Sequence, residues 1–143
     1  MALHIYTSGS SRKDDDKWIG SYAFAIYKDD KAIYQLSTAV HPATQNESEL
    51  IATIHAIHYA RQLYPDENIK LITGSQYVFG GCKKVTNIKT NQHIWHFFHK
   101  VYDNNTIDID FIPKKDKNAK GKHVSMLAKM KLKTQFVPSL SMV

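Results

Sequence analysis

The stretch from residue 46 to residue 73 constrains the fold more than any other part of this 143-residue chain. Leu50, Ile54 and Ile57 fall on one side of a helical period over 46–63, and Leu63 extends it. Thr44, with Glu47 three residues on, has the form of a capping box at its start, and Tyr64-Pro65 ends it. Directly after comes Ile-Lys-Leu-Ile-Thr at 69–73, short and apolar. A strand that follows a long helix has returned through a crossover and pairs parallel to an earlier strand. The spacing thus predicts that 69–73 lies beside a first strand at 2–7, in a sheet with a helix packed on it.

The rest of the chain fills out that sheet. Residues 10–18, Ser-Ser-Arg-Lys-Asp-Asp-Asp-Lys-Trp, are polar and read as a loop. Tyr22, Phe24 and Ile26 share one face of a strand at 20–27. Asp29-Asp30 form a short turn into a third strand at 31–39, giving an antiparallel meander. Ser75 caps a short helix at 76–80 that is expected to stop at Gly80-Gly81. Residues 83–90 form a compact connection. Ile94, Trp95, Phe98 and Val101 have helical spacing within 91–102, and 107–112 alternate as a strand. A last helix is expected at 123–132. The order β-β-β-α-β-α-α-β-α describes an α/β protein with a mixed five-stranded sheet flanked by helices.

An apolar content of 43% and a charged content of 22% suit one globular domain with a sizeable core. No apolar run approaches the ~18 residues of a membrane span, and the N-terminus shows no secretory signal. With Cys82 the single cysteine, no internal disulfide forms, which fits a reducing cytoplasm. Net charge is +6, a balance that favours polyanionic partners. Residues 114–133 hold eight lysines and one acid, Asp116, while Arg12 and Arg61 are the only arginines. Lysine meets phosphate as a point charge rather than a bidentate fork, so nucleic-acid contacts would be backbone-directed and salt-sensitive. A solvated lysine-rich surface is the plain alternative.

Four segments carry a family resemblance: Tyr6-Thr7-Ser8-Gly9-Ser10, Asn46-Glu47-Ser48-Glu49-Leu50-Ile51-Ala52, Thr73-Gly74-Ser75-Gln76-Tyr77-Val78 and Ser125-Met126-Leu127-Ala128. In this order they resemble the ribonuclease H family. The likeness covers roughly residues 2–133, so a ribonuclease H-like domain is expected over 1–133, followed by a tail at 134–143. In the tail, Phe136, Val137 and Leu140 around Pro138 are expected to pack on the domain, meet a partner or stay disordered.

The resemblance implies hydrolysis of the RNA strand of an RNA–DNA hybrid by two Mg²⁺ or Mn²⁺ ions clamped by carboxylates. The positions that match the family's catalytic carboxylates are Ser8, Glu49, Gly74 and Ser125, and only Glu49 keeps one. The family's mobile-loop histidine falls near Lys114 and Lys115, and the asparagine of its fourth segment falls at Gly121. A hydroxyl does not replace a carboxylate as a hard ligand. No metal cofactor and no functional catalytic residue are therefore expected, with Glu49 as the residual metal candidate. Glu49 also favours the helix dipole from the first turn, whatever the function.

What the resemblance leaves is a grip on nucleic acid. Gly9, Ser10 and Ser11, taken as a small polar turn, Thr44, the amides of Asn46 and Gln76, and Lys114 and Lys115 match or neighbour groups that approach a duplex and its 2′-hydroxyls. The same side chains also serve as caps and turns. Other acids and the histidines have plainer readings. Asp14-Asp15-Asp16 read as a solvated turn, and Asp108 and Asp110 as the solvent face of an edge strand. His55 with His58, and His93, His96 and His99, have ligand-like spacing without a completing ligand set.

Three readings follow: a catalytically silent homologue that binds hybrid or another duplex, a module for protein–protein assembly, and an active ribonuclease H with atypical ligands. No membrane partner is expected.

Overall fold

The computed structural model describes residues 2–84 and 88–135. The expected compactness of the 83–90 connection and the packing of the tail at Phe136, Val137 and Leu140 lie wholly or partly outside them. The elements are β1 (Ala2–Asp14), β2 (Lys17–Lys28), β3 (Lys31–Val40), α1 (Gln45–Leu63), β4 (Asn68–Thr73), α2 (Gln76–Lys83), α3 (Gln92–Val101), β5 (Ile107–Phe111) and α4 (Ala119–Lys133). A single 3-10 turn, Lys114–Asp116, joins β5 to α4.

The sheet runs β3-β2-β1-β4-β5. The first three strands are antiparallel, and β4 is parallel to β1, as the helix-then-strand pattern requires. β5 adds in parallel at the edge. Strand alternation sorts side chains to two faces. Leu3, Ile5, Phe24 and Ile26 point toward α1, α2 and α3, where Leu50, Ile57, Val78, Trp95 and Phe98 complete the larger core. Tyr6, Ala25, Tyr27 and Ile72 face the other way and pack on Val124 of α4. Complete burial of a side chain such as Phe24 or Phe98 contributes about 1.5–3 kcal/mol. Ser21 Oγ donates to Ala128 O at 2.6 Å and ties α4 to the sheet.

Four local expectations are corrected. Residues 10–14 are not loop: β1 continues to Asp14, pairing with β2 through Asp14↔Lys17. The turn is Asp15-Asp16, with φ of 48° and 63°. Two left-handed residues match the strand twist of a two-residue hairpin, and aspartate tolerates that region. Gly9, Ser10 and Ser11 are thus strand residues rather than a turn. The helix at 76–80 does not stop at its glycines but runs to Lys83. A Cβ on Gly81 would stand 2.3 Å from the Trp95 ring, so the glycine admits an indole and is no terminator. The last helix begins four residues earlier than expected, because Asn118 caps it by accepting from Gly121 N at 2.9 Å.

The caps read from sequence are present. Thr44 and Glu47 form the capping box of α1, and Ser75 Oγ accepts from Val78 N at 3.1 Å. No helix among the described residues is long and apolar enough to cross a membrane.

Candidate functional site

The site lies where β1, β4, the first turns of α1 and the first half of α4 meet. Gly9 faces α1, and a Cβ there would stand 2.6 Å from Glu49 N and 2.7 Å from Glu49 Cγ. Only glycine lets the helix start this close to the strand. Glu49 is consequently buried, at 7% exposure. Its Oε1 accepts from Gln45 Nε2 at 3.1 Å, and the same amide donates to Gly9 O at 2.6 Å. Gln45 thereby fixes the carboxylate against β1.

Ser8 points to the opposite face from Gly9, toward α4. Its Oγ lies 3.2 Å from Ser125 Oγ. Lys117 Nζ donates to Ser125 Oγ. Gly74, just after β4, has room for a Cβ, which would meet Ile112 O at 3.6 Å, Lys114 Cγ at 3.7 Å and Lys117 Cε at 3.9 Å in ordinary contact. The Lys117 stem thus borders the volume a side chain at position 74 would enter. The recess beside Gly74, lined by Thr7, Thr73, Lys117 and Asn118 among others, measures about 20 Å³, room for roughly one water molecule.

The electrostatics follow from this packing. Desolvation holds the Lys117 ammonium below the usual lysine range, with Lys114 and Lys129 adding like-charge repulsion and Glu49 pulling the other way. The donor set is one carboxylate, two neutral hydroxyls and an ammonium bonded to one of those hydroxyls. Divalent magnesium wants a shell of oxygen ligands with charge to offset its own. These residues do not fit a pair of such ions.

The other expected residues are distributed as follows. Lys114 and Lys115 are exposed on the 3-10 turn beside Gly74. Asn46 and Gln76 are exposed at the first turns of α1 and α2, and their side chains bond to no other described residue. Thr44 is engaged in its cap. Ser10 and Ser11 are half-buried on β1, and Ser11 Oγ is 3.5 Å from Gln45 Oε1.

The five histidines on α1 and α3 do not converge with acids or Cys82: no group of three or more potential metal ligands of those types occurs among the described residues. His55 instead bonds Tyr22 Oη. Asp14 pairs with Arg12, Asp110 with Lys70 and Asp108 with Lys83, as surface carboxylates do.

Three site residues are not singled out by the sequence: Gln45, Lys117 and Asn118. Gln45 had a usable signal, since it stands four residues before Glu49 on one helix face. Asn118 preceded the helix it caps. Lys117 carried none, because a run of lysines does not show which one turns inward.

A mixed sheet of this order, with three helices on one face and one on the other, defines a ribonuclease H-like α/β protein. The RNase H family model matches residues 1–137, and the chain belongs to that family. A ribonuclease H of Thermosynechococcus vestitus is 38% identical over 78 residues, which span 54% of this chain and 47% of that protein. The match therefore covers about half of the relative's length. LC11-RNase H1, isolated from compost by a metagenomic approach, superposes with a TM-score of 0.76 at 16% identity, over 92% of this chain and 96% of its own. Its complex with RNA/DNA hybrid superposes at 0.73. RNase H1 from the archaeon Halobacterium salinarum NRC-1 gives 0.74 at 18% identity, over 94% of this chain and all of its own.

Proposed function

We propose that this protein is a hybrid-binding member of the RNase H family that has lost metal-dependent cleavage. One observation carries the reading. Of the positions that match the family's catalytic carboxylates, Ser8, Gly74 and Ser125 have none, and the Lys117 ammonium is bonded to Ser125. A second divalent cation would meet an existing positive charge and too few ligands. The binding half of the proposal is supported by the hybrid-bound LC11-RNase H1, which shares the fold. It is supported also by exposed Asn46, Gln76, Lys114 and Lys115, arranged around the same junction. In this reading the two amides meet sugar and base edges and the lysines meet phosphates, without sequence preference.

The test uses a labelled RNA–DNA hybrid of about one helical turn, assayed for binding and for cleavage with Mg²⁺ and with Mn²⁺. If Lys114 and Lys115 each displace a counterion, affinity falls about 12-fold between roughly 50 and 200 mM salt. Uncut hybrid is the expected product. Chelator-sensitive cleavage overturns the proposal in favour of an active enzyme with atypical ligands. Absence of binding to hybrid and to duplexes at about 50 mM salt replaces it with an assembly role.

A further inference from the structure

We propose that Lys117 turns the former metal centre into a metal-independent phosphate subsite, its ammonium taking a backbone phosphodiester oxygen of the bound duplex directly. The inference rests on the hybrid-binding reading and adds the group that holds the phosphate.

The argument begins with position. Lys117 Nζ donates to Ser125 Oγ, Ser125 Oγ lies 3.2 Å from Ser8 Oγ, and Lys117 Cε would be 3.9 Å from a Cβ on Gly74. One side chain thus bonds Ser125, borders the space beside Gly74 and stands one hydroxyl away from Ser8.

The second part is charge. Of the half-buried lysines, Lys28 and Lys120 have acidic partners, whereas Lys117 and Lys131 have none among the described residues. Lys117 makes no ion pair among the described residues, although it is turned inward and half-buried. Its neighbours Lys114 and Lys129 share its sign, and Glu49 is the acid that acts on it, without forming an ion pair. A cation placed this way gains from an anion entering the site.

The third part is hydrogen-bonding capacity. An ammonium carries three donors, and one is used on Ser125. The Ser8–Ser125 pair shares one hydrogen between two oxygens, which leaves further hydroxyl donor capacity at the site. These donors suit the acceptor oxygens of a phosphodiester, and they ask for no metal.

The subsite also has a consequence for divalent ions. In the family resemblance a metal bridges protein carboxylate and phosphate; here the positive charge is covalently attached. Hybrid binding is then indifferent to chelators, and added Mg²⁺ acts only as a competing salt.

The experiment measures hybrid affinity of the full chain across a salt series, with a chelator present throughout. Lys117→Met is expected to weaken binding roughly fivefold to tenfold and to reduce the magnitude of the salt slope by about 1. Lys31→Met, which removes an equal charge at the start of β3, is expected to change both less. Lys117→Gln serves as a second variant, with circular dichroism confirming that each is folded. In the wild type, the Lys117 side-chain amine resonance should shift on addition of hybrid.

Unchanged affinity and slope in a folded Lys117 variant, while the wild type binds, overturn this inference and leave the hybrid-binding reading standing. Loss of wild-type binding on chelation overturns it as well, because a metal is then required. Absence of wild-type binding in every condition removes both.

Discussion

Replacing Gly9 with alanine tests whether the site depends on the close seating of α1 on β1. The added Cβ would stand 2.6 Å from Glu49 N, 2.7 Å from Glu49 Cγ and 2.8 Å from Ser48 C. Carbon contacts settle at about 3.5–4.0 Å, so the first turn of α1 must retreat by about 1 Å. Overpacking of this kind costs about 1–3 kcal/mol. The same retreat stretches the 2.6 Å bond from Gln45 Nε2 to Gly9 O beyond useful length, for a further ~0.5–1.5 kcal/mol. The sum, about 1.5–4.5 kcal/mol, is a large part of the ~5–15 kcal/mol that holds a typical domain together.

Urea unfolding should show a lower midpoint at unchanged slope. Gly74→Ala is the matched control: its Cβ meets nothing closer than 3.6 Å, and no glycine in the described chain has positive φ. That variant should be neutral or gain about 0.4–1 kcal/mol by restricting the unfolded chain. The reasoning fails if Gly9→Ala unfolds with the wild type, or if Gly74→Ala is the more damaging of the two.

Three further outcomes are expected. Asn118→Ala removes both the cap on Gly121 N and the 2.9 Å bond donated to Tyr6 Oη, and should lower stability by about 1–3 kcal/mol in the same urea assay. Burial pushes Tyr22 from 10.0 up to about 12, with Tyr59 and Tyr34 adding to the effect. A raised folded-state value means stability is intact below pH 10 and falls as pH climbs from 10 toward 12; urea midpoints across that window should fall less steeply in Tyr22→Phe. Finally, the triple change Ser8→Asp, Gly74→Asp, Ser125→Asp places three carboxylates at the junction but leaves the Lys117 ammonium among them. Adding Lys117→Met should therefore strengthen Mn²⁺ binding by calorimetry, and equal binding with and without Lys117 would show that the lysine lies away from the introduced ligands.

The parts of this fold that were legible in sequence are those where side chains face a core. Tyr22, Phe24 and Ile26, the Leu50–Ile57 stripe and the 69–73 strand announce themselves by period, and helix-then-strand order supplies the parallel pairing. Residues 10–14 were illegible because ladder hydrogen bonds hold them, while Arg12, Lys13 and Asp14 face water or the end of α4. The same dipeptide shows the limit: Asp29-Asp30 reads as a turn between apolar strands, whereas at Asp15-Asp16 a turn reads equally well but its polar neighbours hide the strands that run into it. Gly81 looked like a helix stop because its reason, the Trp95 ring, lies in another helix. In the site, the absence of a carboxylate at 8, 74 and 125 is plain in the sequence. The inward turn of Lys117 is not, since it follows from the 3-10 turn after β5 and the early start of α4.

β1 changes its surroundings halfway along. Its partnership with β2 runs from His4 to Asp14, but β4 accompanies it only from Ala2 to Tyr6. Beyond Tyr6 the strand is interior on one side and an open margin on the other, and Ser8 to Ser11 all lie in that second half. The recess at the site therefore opens where a neighbouring strand ends. Its width is governed by where β4 ends. Residues 73–75 would control access by length alone, and an insertion there could close the margin without touching any group that meets a ligand.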